Sequence, residues 1–351
     1  MSRLARIRRL AYQALHGALV VGCVAVVLMG LSRFLPPEWR SVELLCHLQW
    51  QYFLCTVFAL VVALLFRMRA GTVVAVAAVV LQSLPILPLY VGGPSADGPP
   101  DLRVAVFNVW GGGTHFGETL TWLEEIDADV VVLQETMAGW ENWLTLTQDQ
   151  YPHQHFARCP KFEAFNVATL SKTPIVSQEE ILLPPIEAPL TRTVVETSAG
   201  NVAVYNVHLN PTFQVPQRSA QDEIILRHLA SEPLPYVFAG DFNASVWSPT
   251  LRKFEQESGL IRASEGLGVV PTWPVQTKVI AGAYAYYRKV PVWQVNTPDV
   301  RRWSFLLRPF GVALDHVYVS GDIGVVHFER GPALGSDHLP LIADLRVGAA
   351  S

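Results

Sequence analysis

Six short apolar runs, each closing on a carboxylate, amide or imidazole side chain, constrain this chain more than anything else in it. They are Val104–Asn108, Val130–Glu135, Val202–His208, Tyr236–Asp241 with Asn243 just beyond, Ala313–Asp315 and Gly335–His338. Short runs rich in Val, Phe and Leu predict buried strands. A polar residue at the end of such a strand emerges on the rim of a sheet, where open α/β sheets place their sites. Carboxylates, Asn and His gathered on one rim suit a hard cation and a phosphate group.

Helical patterns separate the runs at Thr119–Ile126, Val215–Ser231 and Pro249–Ser258, and Ala199-Gly200-Asn201 reads as a hairpin turn. Strands joined both by hairpins and by helices predict an α/β domain with mixed sheets, from about Asp101 to Val347. A flexible polar linker, Gly92–Pro100 (GGPSADGPP), precedes it.

Before the linker lie three apolar stretches, Ala11–Leu31, Leu44–Phe66 and Thr72–Val91, each long enough to cross a bilayer. They are the reason that 50% of the residues are hydrophobic and only 16% charged. No small-residue cleavage site follows the first stretch, which disfavours a removable signal peptide. Arg3, Arg6, Arg8 and Arg9 place the N-terminus in the cytoplasm, and three spans then leave the domain on the outer face of the membrane. Residues 1–100 carry eight Arg and three acids; the remainder carries 18 basic and 27 acidic residues. A net-acidic domain does not hold a nucleic-acid backbone by bulk charge. Of the four Cys, only Cys159 lies in the domain, so neither a disulfide framework nor structural zinc is expected there.

Glu135 ends a strand too apolar to carry a charge unless the charge emerges, and it reads as a Mg²⁺ ligand. Asp241 and Asn243, two apart, suit a water and a phosphate oxygen or the metal. Asp337 and His338, adjacent, suit a metal and a phosphate, with Asp315 as the partner that fixes the His338 tautomer. His208 would stabilise charge on a phosphoryl group, and Asn108 would orient a metal-bound carboxylate or a phosphate oxygen. Arg158 and Lys172 are further phosphate candidates. His153 and His155 alternate like a metal pair but sit in what reads as a loop, and are discounted.

Together Asn108, Leu133-Gln-Glu135, Asn206-Val-His208, Gly240-Asp-Phe-Asn243, Leu314-Asp-His316 and Ser336-Asp-His338 resemble, in order, the endonuclease/exonuclease/phosphatase superfamily. That superfamily includes deoxyribonuclease I, apurinic endonucleases, sphingomyelinases and inositol-phosphate phosphatases. The resemblance covers about Asp101–Leu345. It implies a four-layer sandwich, two packed mixed β-sheets flanked by helices, and a Mg²⁺- or Mn²⁺-dependent phosphoester hydrolase. It implies Glu135 as the principal metal ligand with Asn108 and Asp337 beside it, and Asp241, Asn243, His208 and the Asp315–His338 couple as catalytic residues.

The apolar spans, and the segment Pro271-Thr-Trp273-Pro274, resemble bacterial membrane-anchored members such as the teicoplanin-resistance membrane proteins; Trp273 is thereby a substrate-binding candidate. An insertion near 275–309 interleaves Lys278, Arg288, Lys289, Arg301, Arg302 and Arg308 with Tyr284, Tyr286, Tyr287, Trp293, Trp303 and Phe305. That mixture suits an anionic lipid surface or stacked single-strand bases. The expectation is therefore an outward-facing hydrolase of a lipid-linked phosphate or pyrophosphate, with the bilayer as its partner and no protein partner. A nuclease and a non-catalytic membrane receptor or scaffold are the alternatives.

Overall fold

The computed structural model describes residues 3–36, 39–111, 115–137, 139–274 and 310–348. In chain order its strands are β1 (Leu102–Asn108), β2 (Val130–Gln134), β3 (His153–Ala157), β4 (Val167–Ser171), β5 (Ile175–Leu183), β6 (Ala188–Thr197), β7 (Gly200–His208), β8 (Tyr236–Asp241), β9 (Ile261–Arg262), β10 (Asp315–Val319), β11 (Ile323–Arg330) and β12 (Leu341–Val347). The helices are α1 (Arg3–Gly30), α2 (Arg40–Cys46), α3 (Gln49–Leu65), α4 (Arg69–Ser83), α5 (Phe116–Ile126), α6 (Trp140–Leu144), α7 (Val215–Ala230) and α8 (Pro249–Ser258). One sheet runs β11-β12-β1-β2-β4-β3 and the other β5-β6-β7-β8-β10-β9. Each holds one parallel pair, β1 with β2 and β7 with β8, among antiparallel neighbours.

Strand alternation decides what fills each layer. Val104, Val106, Val130, Val132, Val202, Val204, Val237, Ala239, Val317 and Val319 meet between the sheets. The intervening residues Ala105, Phe107, Val131 and Leu133 pack outward under α5 and α6, where Trp122, Leu123 and Trp140 cover them. Ala203, Tyr205, Val207 and Phe238 do the same under α7 and α8, against Ile225, Leu229, Leu251 and Phe254. Four layers result, as the family resemblance implied. Each buried Val contributes roughly 1.5–3 kcal/mol of transfer free energy, so a one-residue slip of any central strand forfeits several such terms.

The helices stop where their sequences dictate. Ser248 caps α8 by accepting a hydrogen bond from Leu251 N, Pro249 occupies the first turn, and Gly259 closes it in the left-handed region at φ 66°. Gly240 on β8 is irreplaceable for another reason. At φ 148° a Cβ there would lie 1.9 Å from the Val207 carbonyl oxygen on the paired strand.

Four expectations need correction. The N-terminal region does not form three spans: only α1, continued to Phe34, is long and apolar enough to cross a membrane among the described residues. The stretch Leu44–Phe66 is broken between α2 and α3 because Glu43, His47 and Gln49 are drawn into hydrogen bonds elsewhere in the protein. The stretch Thr72–Val91 ends its helix at Ser83, just before Pro85 and Pro88. The 17 residues of α3 and 15 of α4 reach only about 25 and 22 Å at 1.5 Å per residue.

The Gly92–Pro100 linker is pinned rather than slack, since Ser95 forms a bridge to Val325 and Ala96 N donates to Val325 O at 2.9 Å. His153 and His155 lie in edge strand β3, where His155 pairs with Glu180 at 2.8 Å. Gly335–His338 is a loop before β12, and Asp315 opens β10 rather than closing a strand. An antiparallel strand begins on the rim where its parallel neighbours end, so those residues still arrive at the same place. The insertion near 275–309 lies outside the described residues.

Candidate active site

The alternation that buries the Val residues between the sheets also carries the polar residues there. Asn108 continues the parity of Val104 and Val106, Asp241 that of Val237 and Ala239, and His208 that of Val202 and Val204. Asp315 shares its face with Val317 and Val319. The registers complete the convergence. His208 lies opposite Asp241, Asp241 opposite Asp315, and Asn108 opposite Gln134, the residue before Glu135. All of them therefore face one open end of the sandwich, one sheet across from the other.

Asn108 links the two sheets at this rim. Its Nδ2 donates to Glu135 Oε1 at 3.0 Å and to Asp241 Oδ2 at 2.9 Å, while its Oδ1 accepts from Trp110 N at 3.0 Å. Glu135 sits just past β2 at φ 59°, and its other oxygen accepts from Gly111 N at 3.2 Å. Asp241 Oδ1 accepts from Asn243 N at 2.8 Å, and Asn243, at φ 49°, donates from Nδ2 to Leu209 O at 3.0 Å. Left-handed backbone at two non-glycine residues flanking one cluster is strain held where a site needs aim.

The two imidazoles point at Asp241 from either side. Asp241 Oδ2 lies 3.6 Å from His208 Nε2 and 3.8 Å from His338 Nε2. His208 Nδ1 lies 2.9 Å from the Ala164 carbonyl, which fixes the proton on Nδ1 and turns Nε2 toward Asn243 and Asp241. The ring stacks on Phe165 at 4.6 Å. His338 Nδ1 pairs with Asp315 Oδ2 at 2.8 Å. Burial alone would drive the His338 imidazole down, but the Asp315 and Asp241 carboxylates outweigh it and push it up to about 10. His338 is thus an imidazolium at neutral pH. Asp241 is raised too: burial and the Asp315 charge lift its carboxyl, against the pull of both imidazoles.

Asp337 lies beside this group, its Oδ2 accepting from Trp273 Nε1 at 3.1 Å. Burial, with Glu135 nearby, raises it against the pull of His338. Trp273 is thereby brought to the site's edge, about a third exposed. Arg158 and Lys172 are not brought in. Arg158 is spent on Glu141 at 2.5 Å on the edge-strand side. Lys172 pairs with Asp127 at 2.5 Å and follows Ser171, which lies opposite Val130 at the far end of β2 from Glu135.

Sequence reading missed the residues that hold these groups still. Ser336 Oγ donates to Asn108 O at 2.7 Å and accepts from His338 N at 3.0 Å. Thr272 Oγ1 accepts from Leu314 N and Asp315 N at 3.1 and 3.2 Å. Gln134 Nε2 donates to Asn206 Oδ1 at 2.7 Å, a buried bridge between the sheets. Ser336, Gln134 and Asn206 stood inside the motifs, but only packing assigns them partners.

His316 faces outward, beneath the loop after β8, and its Nε2 lies 2.7 Å from Ala244 O. Burial pushes its imidazole down to about 3 from the usual 6.5, more than its carbonyl partner raises it. Below about 6.5 the unfolded chain takes up a proton that the folded chain refuses. Stability present above that pH therefore drains as pH falls toward 3, by up to an order of 4 kcal/mol. Urea midpoints measured against pH are expected to fall less steeply on the acid side in His316→Gln. An unchanged slope would show that this imidazole does not titrate on unfolding.

A family model described as the endonuclease/exonuclease/phosphatase family matches residues 105–338, more than half of the chain. No curated protein matches it. Among solved structures, the endonuclease/exonuclease/phosphatase from Beutenbergia cavernae DSM 12333 is similar at 19% identity and TM-score 0.50, over 72% of each chain. TDP2 of D. rerio, complexed with a single-strand DNA product, is similar at 16% identity and TM-score 0.54, over 70% of this chain and 99% of its own. The endonuclease/exonuclease/phosphatase from Bacteroides vulgatus gives 16% identity and TM-score 0.52, again over 70% and 99%. At these identities the likeness is one of fold.

Proposed function

Because the chain belongs to the endonuclease/exonuclease/phosphatase family, we propose that it is a divalent-cation-dependent phosphohydrolase, tethered to a bacterial membrane by α1. The reading is carried by a buried carboxylate, Asp241, held between two imidazoles whose other nitrogens are already engaged. That arrangement supplies a proton acceptor for water and, in His338, a cationic donor for phosphoryl oxygens in one place.

The donor set fits a hard cation. Ligand atoms of Glu135, His208 and Asp241 lie within 4.8 Å of one another, as do those of Asp241, Asp315 and His338. Oδ1 of Asp337 and Oδ1 of Asp315 are buried without a hydrogen-bond partner among the described residues. Glu135, Asp337 and Asn108 would hold Mg²⁺ or Mn²⁺, which take oxygen ligands. Such a cation, when bound, neutralises charge on the phosphoryl oxygens. Asp241 then orients a water and takes its proton as the water oxygen bonds to phosphorus and the ester or anhydride oxygen leaves. Asn243 donates from Nδ2 to a phosphoryl oxygen, with His208 Nε2 beside that amide at 3.2 Å, and His338, kept charged by Asp315, stabilises the developing negative charge.

We assign a lipid-linked phosphate or pyrophosphate as substrate. Val21, Val24 and Leu28 of α1 are exposed, as are Phe58 and Leu65 of α3 and Val73 and Val80 of α4. An apolar exterior of this size suits hydrocarbon rather than water. With the N-terminal Arg cluster in the cytoplasm, one crossing by α1 leaves the domain on the outer face. The acidic domain favours this substrate over a nucleic-acid backbone.

The test is hydrolysis by the full chain in detergent, with Mg²⁺ or EDTA, read as phosphate release from farnesyl pyrophosphate, phosphatidic acid and inositol phosphates and as strand cleavage of oligonucleotides. Mg²⁺-dependent turnover of a lipid-linked phosphate is expected. In Glu135→Gln, Mg²⁺ affinity by calorimetry should fall at least as far as the roughly 10–100-fold typical of losing an outer partner. Turnover of oligonucleotides alone would make the protein a nuclease. No turnover and no Mg²⁺ binding by the wild type would leave a receptor or scaffold.

A further inference from the structure

The catalytic loop after β8 is held by a part of the chain that has no place in the reaction. Asn243 begins that loop, and Ser245 and Ser248 continue it, fully buried. Ser245 N donates to His47 Nδ1 at 3.2 Å, and Ser245 Oγ lies 2.9 Å from the same nitrogen. His47 Nε2 lies 3.3 Å from Thr212 Oγ1, in the loop after β7 that follows His208. One imidazole therefore ties together the loops leaving the two strands that carry His208 and Asp241.

Glu43, one turn earlier on α2, adds a second tie. It is fully buried; its Oε2 accepts from Ser248 Oγ at 2.7 Å, and its Oε1 accepts from Thr250 N at 3.1 Å and Thr250 Oγ1 at 2.5 Å. A carboxylate at the N-terminus of α8 complements that helix's exposed N–H groups and its dipole. Farther along, Gln51 Nε2 donates to Phe310 O at 2.8 Å and Trp247 Nε1 to Pro85 O at 3.0 Å. The N-terminal helices are thus fastened to the domain at the loop that aims Asn243, rather than at a distant edge.

We infer that His47 is a positioning residue for the catalytic loop, acting through the Ser245 amide, so that docking of the membrane-facing helices sets the geometry of the site. This inference rests on the hydrolase reading. The neutral ring is what the role needs, because Nδ1 must accept an N–H while Nε2–H donates to Thr212. Burial keeps it so, pushing His47 down to about 4, with Arg218 in the same direction and Glu43 opposed. Without the imidazole, the buried Ser245 N–H loses its acceptor, a loss that the loop relieves by moving. Small displacements of groups that aim a phosphate are costly to turnover, on the order of 10²-fold for about 1 Å.

The experiment compares full-length wild type, His47→Ala and His47→Asn in detergent micelles. Asn Oδ1 replaces Nδ1 as acceptor for Ser245 N. In His47→Ala, amide hydrogen exchange over residues 243–248 is expected to quicken. The kcat on bis(4-nitrophenyl) phosphate with Mg²⁺ should fall about 10–100-fold with KM unchanged. His47→Asn should recover most of both. His47→Gln reaches Thr212 but not the Ser245 amide, and should repeat the loss if His47→Ala fails to fold. Unchanged exchange in His47→Ala and His47→Gln, or quickened exchange with kcat intact, overturns the inference. A wild type that turns over no phosphate sinks the hydrolase reading instead, and the exchange data then decide alone whether His47 holds the loop.

Discussion

Asp241→Asn is expected to remove nearly all turnover, by about 10³-fold or more, while the folded protein becomes no less stable. The two effects have one cause. Asp241 is 1% exposed and shares its surroundings with Asp315, so burial and like charge raise its carboxyl above the ordinary range. A carboxylate whose folded pKa is raised destabilises the native state at neutral pH, and an isosteric amide relieves that penalty. Asn cannot accept a proton from water. Thermal unfolding and phosphate release on the same preparation decide the matter. A Tm at or above that of wild type with activity lost is the signature of a functional group kept against the interest of the fold. Activity retained within about tenfold would mean that the proton goes elsewhere, and the role assigned to Asp241 would fail.

How much of this was legible in the sequence follows from what periodicity can carry. Val104–Asn108, Tyr236–Asp241 and Val202–His208 were readable as strands ending on polar residues, because alternation and apolar content are local properties. α8 was readable to its ends, since Ser248, Pro249 and Gly259 are punctuation with a stereochemical meaning. Two things were not local. Gly335–His338 and Ala313–Asp315 looked like the other runs, but whether a polar residue sits at the start or the end of a strand depends on the direction of its neighbour. The apolar stretch Leu44–Phe66 looked like a span because Glu43 lies just outside it, and His47 and Gln49 count only as modest hydropathy penalties in a window. Their partners, Ser248, Ser245 and Gly30, are supplied by distant segments. Ser336 and Thr272 were invisible for the same reason: a hydroxyl that accepts a backbone N–H across the fold leaves no local pattern.

Asp315→Asn is the second change with a large expected effect, and it probes charge rather than proton transfer. Asp315 Oδ2 holds His338 Nδ1 at 2.8 Å, and Thr272 holds the Asp315 backbone, so the imidazole has little freedom to turn. An amide in that position keeps the shape but withdraws the charge that, with Asp241, lifts the imidazole against the cost of burial. If its Nδ2–H turns to Nδ1, His338 becomes the neutral Nε2–H tautomer. It can still donate one hydrogen bond to a phosphoryl oxygen, but the cation is gone. In a Ser-His-Asp triad the corresponding exchange of carboxylate for amide costs about 10⁴ in kcat through the wrong tautomer, and a loss of about 10³-fold is expected here. His338→Ala should cost a similar factor. The combination Asp315→Asn with His338→Ala should be little worse than either alone, because the two residues act as one unit. Measured kcat values that multiply across the double-mutant cycle would show that Asp315 serves the site by some route other than His338, and the assignment of an imidazolium there would have to be withdrawn.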